Sequence, residues 1–186
     1  MSHLTITELP LAGLRRVQRQ RLGDARGYLA RLFCADDLAG AGWLRPVAQV
    51  NHSHTLRPGT VRGLHFQIPP HAEMKLVSCI RGRIFDVAVD LRSGSATFAR
   101  WHSEVLDADV GGAMLLPEGF AHGFQALTAD VELVYCHAQA YNVAAEGGFN
   151  ALDERLGITW PLPITEMSDR DRHLPCLGID FKGLAP

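Results

Sequence analysis

Residues 84–91 place the strongest constraint on how this chain can fold. Phe85, Val87, Val89 and Leu91 fall on one side of a two-residue period, and Ile84, Asp86, Ala88 and Asp90 on the other. That alternation belongs to a β-strand and matches no helical face. Further β-leaning runs at residues 97–105, 113–116, 123–127 and 132–139 are separated by turns rich in Gly, Pro and Asp. Residues 46–54 alternate too, with Val47, Gln49, Asn51 and Ser53 on one face and Ala48, Val50 and His52 on the other. Gly-Asp and Arg-Gly pairs within residues 23–27 mark a hairpin-like turn, and residues 36–41 a short helical turn closed by Gly42. Short strands at this spacing, with almost no helical periodicity, predict an all-β sandwich or barrel. From about residue 153 the chain becomes irregular, with one or two helical turns and Ser168 as the predicted N-cap. Asp86 and Asp90 are expected to face water, because the other side of their strand is wholly apolar. The Gln49–Asn51 face is equally compatible with bulk water and with a sheet wrapped around a wet ligand cavity.

The chain has 186 residues, enough for one domain with a sizeable core. No linker, repeat or low-complexity tract divides it, so a single domain over residues 1–186 is expected. A formal net charge of -2 gives no reason to expect nucleic acid or an anionic membrane as partner. No apolar run approaches the length that spans a bilayer. The N-terminus lacks a basic stretch followed by an apolar block, so secretion is not expected. Cys34, Cys79, Cys136 and Cys176 are scattered without a C-x-x-C pair, which fits reduced thiols and a cytoplasmic location.

The chemistry concentrates around Arg62-Gly63-Leu64-His65-Phe66-Gln67 and, past a Pro-Pro turn, Met74-Lys75-Leu76-Val77. Of eighteen Lys and Arg residues only Lys75 and Lys182 are lysine. Lys75 is therefore either a snorkelling surface residue or a cation set in place among apolar neighbours. Residues 111–122 (G-G-A-M-L-L-P-E-G-F-A-H) resemble the second motif of the cupin barrels. The first cupin motif supplies H-x-H, a glutamate and then a glycine. The corresponding positions here are His65, Gln67, Lys75 and Gly82. Two histidine ligands remain, His65 and His122, while an amide and a cation replace the others. An ammonium repels a divalent ion and cannot coordinate it, so no metal and no cofactor are expected. The fold implied is a cupin-type jelly-roll barrel with short peripheral helices.

Taken singly, His65 and His122 are most simply buried, hydrogen-bonded histidines. On the cupin reading His65, Lys75 and Tyr135 all lie on strands lining one barrel. A neutral imidazole is a suitable base, a lysine can steady a developing oxyanion, and a tyrosine can donate a proton. Together they suit proton abstraction beside a ketone. The blocks R-G-L-H-F-Q, K-L-V, F-D-V-A-V-D-L-R, P-E-G-F-A-H-G-F and L-V-Y, in that order, resemble the dTDP-4-dehydrorhamnose 3,5-epimerase family from about residue 24 to 172. The resemblance implies a cofactor-independent epimerase that inverts C3 and/or C5 of a nucleotide-linked, dTDP-type 4-keto-6-deoxyhexose, built as a homodimer that exchanges an N-terminal strand.

Carried over by position, the resemblance makes His65 the base, Asp171 its partner, Lys75 the holder of the C4 oxygen and Tyr135 the acid. It gives Arg26, Gln49, Asn51, Arg62, Tyr141 and Glu146 to the nucleotide diphosphate and sugar. His122 and Asp86 would support the barrel interior. The chain departs from the family at Arg31, where a glutamate is usual, and at Leu29, an aromatic position. Ala140-Tyr141 stands in place of a tyrosine pair, and Ala151-Leu152-Asp153 in place of Trp-Asn-Asp. The reaction type is thus better supported than the substrate. Alternatives left open are a single-position epimerase at C3 or C5, a metal-dependent cupin, and a sugar-nucleotide binder without turnover.

Overall fold

The structure is a computed structural model and describes residues 3–185. The chain runs through β1 (Leu4–Glu8), β2 (Arg15–Arg19), β3 (Arg21–Asp24), β4 (Gly27–Ala30), helix α1 (Ala35–Ala39) and β5 (Gln49–Thr55). It continues with β6 (Val61–Gln67), β7 (Lys75–Arg81), β8 (Arg83–Asp90) and β9 (Trp101–Asp107). β10 (Gly112–Leu116), β11 (Phe120–Ala126), β12 (Val131–His137), β13 (Glu146–Gly148) and helix α2 (Asp169–Arg172) complete it. One sheet has the order β1-β2-β10-β7-β12-β5 and the other β13-β6-β11-β8-β9, while β3 and β4 form a separate hairpin. The strands pair antiparallel, and the two sheets face each other as a cupin-type jelly roll. No helix among the described residues is long and apolar enough to cross a membrane.

The period-two pattern sorts side chains into three apolar layers. Ile84 and Ala88 on β8, Met114 and Leu116 on β10, Phe124 on β11 and Leu133 on β12 meet between the sheets. Val87 and Val89 point the other way, under Phe149, Leu156, Met167 and Leu177 of the C-terminal segment. Leu76, Ala113 and Leu115 form the outer face of the six-stranded sheet and are covered by Leu38 of α1 and Trp43. Burial on both faces explains why β10 is continuously apolar and why β11 is buried at every position, its His122 and Gln125 included. The irregular C-terminal segment lies across the outside of the second sheet. There Ser168 caps α2, its hydroxyl accepting from the Asp171 N–H.

Two expectations need correction. Asp86 and Asp90 do not face water; both are completely buried. Their face of β8 points into the barrel, and each carboxylate is met by donors. Asp86 bonds His122 at 2.7 Å. Asp90 accepts from Arg92 Nη2 at 2.7 Å and from the Ser95 and Thr97 hydroxyls at 2.6 Å each. The second correction follows from the first: the strand expected from residue 97 begins at Trp101, because residues 95–99 form the loop whose hydroxyls wrap Asp90. The turn at residues 23–27 and the helical turn near residue 36 fall where expected. Among the described residues the hairpin β3–β4 has no neighbouring strand, and Leu22, Tyr28 and Leu29 on it are exposed.

Burial by itself would raise the Asp90 carboxyl, but the bonds from Arg92, Ser95 and Thr97 outweigh it and bring it down to about 2. A carboxyl depressed on folding contributes stability above its ordinary value near 4, and that contribution is lost as pH falls through about 2. Denaturant melts at stepped pH should show wild type losing about 2 kcal/mol over that window that Asp90→Asn does not lose. Near neutral pH, Asp90→Asn should be less stable by about 2–3 kcal/mol. Identical acid slopes for the two proteins would contradict this assignment.

Candidate active site

A cavity of about 650 Å³ opens at one end of the barrel and is lined from both sheets. β6 and β11 bring His65 and His122 directly opposite one another. The two strands approach so closely that a side chain at Gly63 would meet Gly123 Cα at 2.6 Å and the His122 carbonyl oxygen at 2.7 Å. Gly63 also holds φ at +117°, a conformation suited to glycine. This close contact aligns the histidines.

His65 Nε2 lies 2.7 Å from Asp171 Oδ1, and the second oxygen of Asp171 accepts the Gly63 N–H at 3.2 Å. Burial would raise the Asp171 carboxyl. The bond and charge of His65, the Gly63 N–H and the Ser168 hydroxyl more than offset it, so the group is held below the usual carboxylate range. An ionised Asp171 draws the imidazole proton to Nε2 and leaves the lone pair on Nδ1. His122 Nε2 makes a similar 2.7 Å contact with Asp86, whose carboxyl is pushed up by complete burial and whose other oxygen has no hydrogen-bond partner.

Tyr135 enters from β12, in the opposite sheet from His65. Its ring meets His122 edge-on at 6.0 Å and stacks on His137 at 6.0 Å. Burial raises the Tyr135 hydroxyl well above its ordinary value, against smaller opposing effects of Ser53 and Arg62, so it stays protonated. Lys75, the first residue of β7, is nearly buried, with its ammonium 3.0 Å from Glu73 Oε1. Glu73 Oε2 lies 2.6 Å from His137 Nδ1. Burial raises the Glu73 carboxyl, but the His137 bond and the Lys75 charge outweigh it and hold it low.

The cavity therefore collects His65, Lys75, Tyr135 and Asp171, with Asn51, Arg62 and His122. Tyr141 and Glu146 line it as well, joined by a 2.8 Å bond from the Tyr141 hydroxyl to Glu146 Oε2. Gln49 stands at the rim, bonded to Asn51 and to the Tyr141 N–H. The face of β5 that carries Asn51 is thus part of the cavity wall. Arg26 is not brought to the cavity of its own chain: it sits at the β3–β4 turn, exposed and paired with Asp24 at 2.7 Å.

Glu73, His137 and Arg170 were not singled out from sequence. His137 follows Tyr135 by two residues on the same strand, and Arg170, which pairs with Glu146, immediately precedes Asp171. Period-two placement would have pointed to His137. Glu73 lies in a turn, where no period applies. The donor set does not suit a divalent ion. His65 and His122 are committed to carboxylates, Gln67 braces loops through Asn142 N–H and the His71 and Ala140 carbonyls, and Lys75 is an ammonium. Among the described residues no three His, Cys, Asp or Glu side chains gather as a metal cluster.

The family model described as dTDP-4-dehydrorhamnose 3,5-epimerase matches residues 8–178. A dTDP-4-dehydrorhamnose 3,5-epimerase from Sinorhizobium fredii is 37% identical over 182 residues, covering 95% of this chain and 91% of the relative. A dTDP-4-dehydro-6-deoxyglucose 3-epimerase from Streptomyces bikiniensis is 43% identical over 166 residues, covering 88% and 84%. The crystal structure of a dTDP-6-deoxy-D-glucose-3,5-epimerase from Legionella pneumophila, in complex with dTDP-4-keto-L-rhamnose, superimposes with a TM-score of 0.88. It is 33% identical, with 94% of this chain and 93% of that one covered.

The close contact of β6 and β11 can be measured against a control. Gly63 and Gly27 both hold positive φ, but a side chain at Gly27 would meet nothing within 4 Å. Gly27→Ala should cost about 1 kcal/mol of unfolding free energy, from backbone strain alone. Gly63→Ala should cost about 3 kcal/mol or more and disturb the His65 ring resonances. Equal losses in the two variants would show that the approach at Gly63 does not hold the site.

Proposed function

Because the chain belongs to the dTDP-4-dehydrorhamnose 3,5-epimerase family, we propose that its cavity epimerises a dTDP-linked 4-keto-6-deoxyhexose through an enolate, using only its own side chains. It is an epimerase of the isomerase class, serving deoxysugar biosynthesis. His65 Nδ1 takes the proton from the carbon beside the C4 ketone. The C–H electron pair becomes the C=C bond, and the carbonyl pair moves onto the C4 oxygen, where the Lys75 ammonium steadies it. Asp171 keeps His65 in the receptive tautomer and then balances the imidazolium. Tyr135 returns a proton to the other face as the C4 ketone re-forms. The tyrosinate and imidazolium then regain neutrality by net transfer of one proton through solvent.

The observation that carries this reading is the placement of base and acid in opposite sheets of one cavity. His65 is on β6 of the five-stranded sheet and Tyr135 on β12 of the six-stranded sheet. Inversion needs that division, since an acid on the base's side restores the starting configuration. Arg62, Asn51, Tyr141 and Glu146 on the walls, with Gln49 at the rim, would hold the sugar and diphosphate; His122 would support Tyr135.

The same reading covers the assembly. The β3–β4 hairpin exposes Leu22, Tyr28 and Leu29 and pairs with no other strand among the described residues. It suits exchange with a second copy in a homodimer, which would carry Arg26 toward the partner's cavity. Arg31 follows β4 and would bear on which nucleotide base is preferred. Four free cysteines fit a cytoplasmic setting. A second scope has its own support: the 43% identical relative from Streptomyces bikiniensis is named for inversion at C3 alone. One set of residues serves either carbon, and the shape of the pocket decides which is presented.

Incubation with dTDP-4-keto-6-deoxyglucose in D₂O, followed by NMR, tests the reading. Deuterium should enter at C3, at C5 or at both, with inverted products. Absence of exchange at both carbons would contradict it. His65→Asn should lower exchange by about 10²–10⁴-fold. Tyr135→Phe should still exchange but invert poorly, and normal inversion by that variant would assign the acid to another group.

A further inference from the structure

A chain of hydrogen bonds runs in one direction from the cavity rim to Glu73, which receives the Lys75 ammonium from the other side. The Tyr141 N–H donates to Gln49 Oε1 at 2.9 Å, and Gln49 Nε2 donates to Asn51 Oδ1 at 3.0 Å. Asn51 Nδ2 faces His137 Nε2 at 3.5 Å, so that nitrogen accepts and the ring proton sits on Nδ1. From there Nδ1–H reaches Glu73 Oε2 at 2.6 Å, and Glu73 Oε1 meets Lys75 Nζ at 3.0 Å. The donors from the rim and the Lys75 ammonium converge on Glu73, and both oxygens of that nearly buried carboxylate are occupied.

We propose that Glu73 and His137 are positioning residues for the enolate step: Glu73 keeps the Lys75 ammonium charged and aimed into the cavity, and His137 fixes Glu73 in place. The inference rests on the reading of Lys75 as holder of the C4 oxygen. Lys75 is nearly buried, and a buried charge needs an opposing charge close by. Glu73 is the carboxylate that makes an ion pair with it. The other titratable groups around Lys75 do not substitute. Asp86 on β8 feels its charge, but complete burial pushes that carboxyl toward the neutral form. His137 and Tyr135 come from β12, and His65 and His122 line the wall across the cavity. β10 places only Leu116 opposite Lys75.

The same geometry gives Gln49 and Asn51 a second task. They polarise His137 toward Glu73, so a ligand that engages the rim amides acts on the chain that places Lys75. The carboxylate also limits the charge that Lys75 shows to a resting ketone. The Lys75–Glu73 pair is neutral as a whole, and a favourable field for oxygen depends on how the ammonium protons are directed.

Only two lysines occur in the sequence, Lys75 and Lys182, so ¹³Cε-lysine NMR resolves the test without reference to turnover. In Glu73→Gln the Lys75 signal should titrate about one pH unit or more below its wild-type midpoint, while Lys182 stays put. His137→Asn, whose amide can donate where Nδ1–H did, should leave the Lys75 midpoint as in wild type, and His137→Leu should lower it. With the keto sugar, Glu73→Gln should reduce kcat on the order of tenfold to a hundredfold, deepening as pH rises, with KM changed by less than about threefold. An unmoved Lys75 midpoint in Glu73→Gln overturns the proposal, as does a uniform fall in rate at all pH values with only a lowered Tm. Failure of wild type to exchange the sugar would instead overturn the assigned reaction, leaving the lysine titration to be judged by itself.

Discussion

The 2.7 Å contact between His65 and Asp171 holds together the functional end of this barrel. Its partners are 106 residues apart in sequence, one on β6 and the other on a four-residue helix. A helix of that length has no stability of its own. It is held by the Ser168 cap and by a covering layer in which Met167 and Leu177 lie over Val87 and Val89 of the sheet. The apolar burial of the C-terminal segment is thus what delivers a carboxylate to His65. The Gly63 N–H, donating to the other oxygen of Asp171, ties that carboxylate to the same close strand contact that aligns His122.

Three imidazole–carboxylate pairs stand in and around one cavity, and their surroundings drive them apart. Asp171 and Glu73 are held low, each by a histidine bond together with a second donor or cation. Asp86, completely buried with one oxygen unpartnered, is pushed up. Tyr135 is raised by burial and keeps its proton. Groups pushed in opposite directions within one space are suited to separate tasks, which is the basis for proposing a base and an acid here. Where relatives in the wider cupin fold grip an ion, this barrel places a lysine ammonium, the group proposed above to stabilise charge.

Much of this was legible from residue order. Alternation at residues 84–91 and the Gly, Pro and Asp turns pointed to the two-sheet barrel, and the resemblance pointed to His65, Lys75, Tyr135 and Asp171. What alternation could not show was which side of β8 is inside. With apolar cover on both faces, an aspartate among valines is ambiguous, and the choice was decided by His122 for Asp86 and by Arg92, Ser95 and Thr97 for Asp90. Glu73 escaped notice because its role depends on partners from two other elements. Arg26 was assigned to the ligand only by resemblance, and a single chain leaves it at an exposed hairpin tip.

The account depends on one proton. If Asp171 sets the tautomer of His65, then ¹⁵N NMR of histidine-labelled protein, with the His65 signals identified by their loss in His65→Asn, should find the proton on Nε2 and a bare lone pair on Nδ1 at the pH of catalysis. Finding the proton on Nδ1, or a ring that exchanges freely between the two tautomers, would contradict it, because the nitrogen assigned to take the sugar's proton would already be occupied.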